Sequence, residues 1–437
     1  MADDAGWRPL RHPVPWAGQP GATAFHRLAV AHTLSLAGDA LVTVALAGSL
    51  FFNISPGAAR GRVALSLVLT MAPFAVVAPW LGPAIDRVRG GRRFMVGAAA
   101  AGRVVAALLA AAWLHGLLLF PAAFAVLVLS KTHAVAKSSL VPSVVDDSVE
   151  LVSANARLAL AGVVVGTIVA VPGVIVLQLV GAEWVMRLAA VVFAAGAVAS
   201  LRIVQVHPNE PPARSAAMEE LRHAGTRLAA IATGALRAAV GFLTFLIAFG
   251  FRRGHEPAWV FGLVLAASTL GTVVGSLVAP ALRRRIHEEH LLAGALGLVA
   301  VVMIVAVRTG GRPAAILAAG AVGISASAGK LAFDSLVQRD APAAAVGRAF
   351  ARFEAMFQLA WVAAALLPVV LRVPVRAGYA LLALGSTMTA AGYLTGLAAN
   401  RRLAAAHRRL AAAHHPATAD PATVDAAASV PEQGAGS

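Results

Sequence analysis

Ionisable side chains interrupt stretches of the sequence that are otherwise apolar, among them Asp39, Arg103, Lys131, His133, Lys137, Lys330, Asp334 and Glu354. The amide Gln358 follows one helical turn after the last of them. Groups of this kind in apolar surroundings can load and release a proton, hold one another as ion pairs, or hold the charged end of a ligand. A carboxylate at the centre of a membrane helix costs roughly 2.5–3.5 kcal/mol on insertion scales, so Asp39 must face protein or water. Burial disfavours the charged form of a carboxyl group, which is the behaviour wanted at a proton-coupling site. Asp39 is the first candidate for that role, and the competing role is a fixed ion pair with Arg103 at similar depth. Asp334 and Glu354 are further intramembrane charges, Glu354 with Arg348 or Arg352 as alternative partners. Positions four apart share a helix face, so His133 goes with Lys137 and Lys330 with Asp334. Snorkelling of the lysines to the membrane interface is the competing explanation for that group.

The elements that carry these residues are long and apolar. Hydrophobic residues make up 59% of the chain and charged residues only 13%, with a mean hydropathy of +0.78. A helix rises about 1.5 Å per residue, so roughly 20 apolar residues cross a hydrocarbon core of about 30 Å. Windows of that length fall at 26–51, 62–84, 94–114, 117–137, 152–178, 184–204, 236–251, 257–281, 291–308, 313–335, 347–371 and 377–399. They are too long and too uniformly apolar for barrel strands. The expected fold is therefore an all-α membrane protein with twelve transmembrane helices.

A net charge of +16 would suggest nucleic acid in a soluble protein, but its distribution argues for topology instead. With the N-terminus inside, 22 of the 36 basic residues lie in inner segments and nine in outer loops. This is the positive-inside bias for two cytoplasmic termini, and no nucleic-acid partner is expected. Residues 1–25 lack the pattern of a secretory signal peptide and read as a cytoplasmic segment. A polar stretch, 205–235, with an amphipathic pattern at Met218-Glu-Glu-Leu-Arg222, separates a first half, 26–204, from a second, 236–399. Residues 400–437 read as a disordered cytoplasmic tail. Shifting the second half by 197 positions puts Pro83-Ala-Ile-Asp86-Arg87 on Pro280-Ala-Leu-Arg283-Arg284, which suggests two pseudo-symmetric six-helix halves.

Between the second and third stretches stands Gly82-Pro-Ala-Ile-Asp86-Arg87-Val-Arg-Gly-Gly91-Arg92-Arg93. This loop resembles the signature of the major facilitator superfamily, with one or two extra residues before its Gly-Arg-Arg end. Ser35-Leu-Ala-Gly38-Asp39, Ser153-Ala-Asn155 and Gly347-Arg-Ala-Phe350 resemble its drug and secondary-metabolite exporter branch. The resemblance implies that Gly82, Asp86, Arg87, Gly91, Arg92 and Arg93 form a conformational latch, with Asp86 against the unpaired N–H groups of a helix starting near Gly347. It also implies that the first, fourth, seventh and tenth spans line a central cavity. Lys131, His133, Lys137, Lys330 and Gln358 would then border the substrate path, and the cationic groups would favour an anionic compound.

Other chemistries find little support. The chain has no cysteine, which excludes thiolate metal sites, and no Gly-Lys-Ser/Thr phosphate loop for ATP hydrolysis. The cluster Asp146-Asp147-Ser-Val-Glu150 superficially resembles a Mg²⁺-diphosphate motif, but it occurs once where that chemistry uses two. No enzyme activity, cofactor or metal is expected. The expected function is proton-coupled efflux of a small amphipathic compound from a bacterial cytoplasmic membrane. The alternatives are a lipid or lysolipid translocase of the same fold and a polytopic scaffold or sensor that transports nothing.

Overall fold

The computed structural model describes residues 20–46, 91–114, 116, 118–145, 148–203, 216–340 and 346–414. Among them are eleven helices long and apolar enough to cross a membrane, and no strand. They are α1 (Pro20–Leu46), α2 (Gly91–Ala112), α3 (Leu119–Leu140), α4 (Ser148–Val180), α5 (Ala182–Ser200), α6 (Ala216–Arg253), α7 (Ala258–Arg283), α8 (Glu288–Thr309), α9 (Gly311–Asp340), α10 (Val346–Val370) and α11 (Val375–His414). The expected second span, 62–84, lies outside the described residues. The other eleven stretches each overlap one helix over their described residues.

The helices sort by packing into two sets. In one, α1 packs on α4 and α5 and α2 packs on α3 and α5. In the other, α9 packs on α6, α7 and α8, and α6 packs on α10 and α11. The sets meet where α4 touches α7 and α9 and α3 touches α10. Side chains at Val164, Ile168, Val171, Ile175 and Leu179 of α4 are exposed at helical spacing, a stripe that suits lipid contact. Within the second set, α7 and α9 approach closely through Gly271, Gly275 and Gly323, where an added Cβ would strike the facing backbone. Ser276 and Ser327 share a 2.8 Å hydrogen bond across the same seam.

Two expected boundaries are corrected. The polar segment 205–235 and the seventh span do not form separate elements over 216–253: α6 runs unbroken through both. No proline interrupts that run, and Ala, Leu, Arg and Glu supply good helix propensity across it. Part of the expected disordered tail lies outside the described residues, and the rest, residues 400–414, is helical instead, because α11 continues to His414. Its extension is almost entirely Ala, Leu and Arg, strong helix formers, with arginines toward the negative end of the helix dipole.

Candidate functional site

Asp39, on α1, meets a fully buried Arg103 from α2. Arg103 Nη1 donates to Asp39 Oδ1 at 3.1 Å and to Oδ2 at 3.3 Å, and Ser130 Oγ of α3 donates to Oδ1 at 2.6 Å. The carboxylate keeps 27% of its surface, whereas the Arg103 side chain keeps none. Arg103 Nε donates to the Ala99 carbonyl at 3.1 Å, and its guanidinium lies 4.6 Å from the ring centroid of Phe193 on α5. Phe193 reaches that position because residue 38 is glycine: a Cβ there would collide with the ring. The ion pair weighed as the competing role of Asp39 is therefore present, and the fragment around Gly38-Asp39 contributes both its carboxylate and its clearance.

Toward the start of α1, His32 lies against His133 of α3, both buried, with His32 Nδ1 3.3 Å from His133 Nε2. His133 thus points at α1, whereas its expected role was on the substrate path beside Lys137.

The second set contributes a chain of alternating charge. Lys330 Nζ on α9 bonds Asp334 one turn away and meets Glu354 Oε1 of α10 at 2.7 Å. This partner for Glu354 stands on another helix, which the expected pairing with Arg348 or Arg352 did not include. Arg237 on α6 and Lys131 on α3 also act electrostatically on Glu354, and Lys137 is a charged neighbour of Asp334 and Glu354. Four cations from both sets, Lys131, Lys137, Arg237 and Lys330, therefore lie within electrostatic reach of Glu354, and Lys137 and Lys330 within reach of Asp334 as well. Gln358 is half-buried on the same face of α10 as Glu354.

Buried amides link the two sets near the end of α3. Asn155 Nδ2 of α4 donates to Gln338 Oε1 of α9 at 2.7 Å, and Gln338 Nε2 donates to the Ser138 carbonyl of α3 at 2.9 Å. At the same end of the bundle the side chain of Glu288, fully buried at the start of α8, meets Arg283 of α7 at 2.8 Å and Arg339 of α9 at 3.1 Å. Its negative charge also suits the helix N-terminus.

Of the expected latch residues, Gly82, Asp86 and Arg87 lie outside the described residues, as do the side chains of Gly91 and Arg92 at the start of α2. Arg93 is described, and its Nη1 donates to the Ile203 carbonyl at 3.2 Å. Sequence reasoning missed His32, Ser130, Arg237, Glu288 and Gln338. His32 carried a signal, since it stands seven residues before Asp39 and therefore on the same helix face. Arg237 stands within the unbroken α6, at the start of the expected seventh span.

The uncharacterized protein ML2143 of Mycobacterium leprae is 30% identical over 418 residues, covering 83% of this chain and 71% of its own length. The uncharacterized protein Rv0876c of Mycobacterium tuberculosis is 32% identical over 290 residues, and this chain spans about half (51%) of its length. Among solved structures, a bacterial homologue of the iron transporter ferroportin in an outward-facing state superposes with a TM-score of 0.70 at 14% identity, covering 86% of this chain and 99% of that one. The human organic anion transporter MFSD10 gives 0.68 at 16% identity, covering 85% and 99%. The model of the Major Facilitator Superfamily matches residues 28–365. With that match spanning most of the helical bundle, the chain belongs to the Major Facilitator Superfamily.

Proposed function

We propose that this protein is a proton-coupled exporter of a small, amphipathic, anionic compound, working by alternating access in a bacterial cytoplasmic membrane with both termini inside. The observation that carries the reading is the pairing of two unlike charge clusters. One is a single carboxylate, Asp39, that remains partly exposed beside a buried cation; the other is a cation-rich group drawn from both sets of helices. A proton on Asp39 cancels its attraction to Arg103, so the α1–α2 contact differs between the loaded and unloaded states. A carboxyl group that gains and loses its proton as access alternates is what gradient coupling requires.

Four cations against two carboxylates favour an acidic substrate group held between α3, α6, α9 and α10. The organic anion transporter of similar fold supports the fold alone, so the substrate class rests on this charge balance. The exporter direction rests on the resemblance of the segments around Asp39, Asn155 and Gly347 to the exporter branch. The positive-inside bias supports a cytoplasmic location for the Asn155–Gln338 end. By the same resemblance Asp86 latches the halves against the N–H groups at the start of α10. One proton moving down 100 mV supplies about 2.3 kcal/mol, somewhat under two decades of concentration ratio.

Acidified inside-out vesicles carrying a pH-sensitive dye test this reading. Addition of amphipathic anions from a chemical panel should discharge the gradient for at least one compound in vesicles with wild-type protein, and not with Asp39→Asn. Discharge only by cations or by lysolipids would replace the anion reading, and the latter would favour the lipid translocase.

A further inference from the structure

We infer that the buried His32–His133 pair is a proton relay joining Asp39 to the cytoplasm, an inference that rests on the proton-coupled reading above. The two rings are nearly parallel, 6° apart with centroids at 5.5 Å, and only 7% and 3% of the residues' surfaces are exposed. At 3.3 Å, one of the facing nitrogens carries the hydrogen and the other accepts it. His133 Nδ1 is buried with no hydrogen-bond partner among the described residues. Leaving such a group unsatisfied costs roughly 1–3 kcal/mol. Two apolar side chains would fill the same seam without that cost, so packing alone does not account for the pair.

Its position points to Asp39. His32 stands two helical turns before Asp39 on the same face of α1, roughly 10 Å along the axis. His133 stands three residues after Ser130, whose hydroxyl holds the Asp39 carboxylate. The pair therefore continues the Asp39–Ser130 contact along the α1–α3 seam toward the end assigned to the cytoplasm. Beyond it Val135, Ala136, Leu140 and Val141 are buried and Gln338 ties Ser138 to Asn155, so a proton reaches His32 from the cytoplasm when that contact opens. The charged groups around the two rings are Arg103 on α2 and Lys137 on α3, and Arg103 in turn holds Asp39.

Imidazole can accept a proton on one nitrogen and release one from the other. A proton taken up at His32 Nε2 allows the hydrogen on Nδ1 to pass to His133 Nε2, and the hydrogen on His133 Nδ1, which has no hydrogen-bond partner among the described residues, is then carried by water to the Asp39 carboxylate. Each ring receives one proton and gives one up, and no other bond changes. Export of protons from Asp39 to the cytoplasm runs the same steps in reverse.

The full-length protein in oriented proteoliposomes tests the relay without a substrate. Time-resolved infrared spectroscopy would follow the Asp39 carboxyl band, identified by its loss in Asp39→Asn, after a pH jump on one chosen side. His32→Asn and His133→Gln keep a hydrogen-bonding atom near Nδ1 and Nε2, respectively, but an amide does not relay a proton. Each variant should slow Asp39 protonation from the cytoplasmic side by about ten-fold or more while leaving the rate from the opposite side unchanged. A purely structural role would change both sides together or shift the equilibrium midpoint, and either result overturns the relay, as do wild-type rates in both variants. A band that responds to pH in wild type but not through the histidines leaves proton coupling standing, whereas a band that never responds removes both readings. The two substitutions are independent, so a folding defect in one leaves the other to decide.

Discussion

Asp39 and Arg103 form an unequal pair: at 3.1 Å, a guanidinium with no exposed surface meets a carboxylate that retains 27% of its own. The inequality predicts unequal mutants. Asp39→Asn leaves a buried cation that cannot shed its proton, a defect worth about 3–5 kcal/mol of stability. Arg103→Met leaves a carboxyl group that can neutralise itself by taking up a proton, so its cost should be smaller, about 1–2 kcal/mol. The double variant should recover most of the Asp39→Asn loss. Unfolding of the purified proteins in one detergent would check this, and equal losses in the two single variants would contradict the pairing as described.

The amide bridge between Asn155 and Gln338 must break whenever α4 and α9 part at that end. Asn155→Ala or Gln338→Ala should therefore favour the state open on that side, by about 1 kcal/mol or a several-fold change in population. Because the chain has no cysteine, spin labels can be placed at two introduced cysteines near the ends of α3 and α9 without a background. Distance distributions unchanged by either substitution would mean that the bridge does not hold the closed end.

Glu354 offsets part of the positive charge contributed by Lys330, Arg237 and Lys131. Glu354→Gln should therefore tighten binding of an anionic fluorescent amphiphile such as anilinonaphthalene sulfonate, and Lys131→Gln should weaken it. Each change should be about five- to ten-fold. Titration of detergent-solubilised protein reads both, and parallel shifts in a cationic dye would show that general hydrophobicity rather than charge governs binding.

Much of the bundle could be read from the sequence because lipid imposes a simple rule: a helix must be long, apolar and internally hydrogen-bonded. The ion pair of Asp39 was also legible, since a mid-span carboxylate needs a partner and few cations stood at its depth. The partners chosen across helices were not. That Glu354 meets Lys330 and that Asn155 meets Gln338 depends on helix rotation and tilt, which hydropathy leaves undetermined. His32 escaped notice because a single neutral side chain barely changes the hydropathy of its stretch. The unbroken α6 escaped because polar residues that end a membrane span do not end a helix, which stops only where backbone hydrogen bonding stops.

Uptake by energised inside-out vesicles is the most direct measurement of whether this chain is a gradient-driven exporter. Vesicles with wild-type or Asp39→Asn protein, matched for folded protein, would be incubated with a metabolite and lipid extract of the native cell, and their contents identified by mass spectrometry. The account predicts an acidic amphiphile gathered by wild type, lost on addition of an uncoupler and absent with Asp39→Asn. Accumulation that survives both the uncoupler and the substitution, or no accumulation beyond that of vesicles lacking the protein, would contradict it.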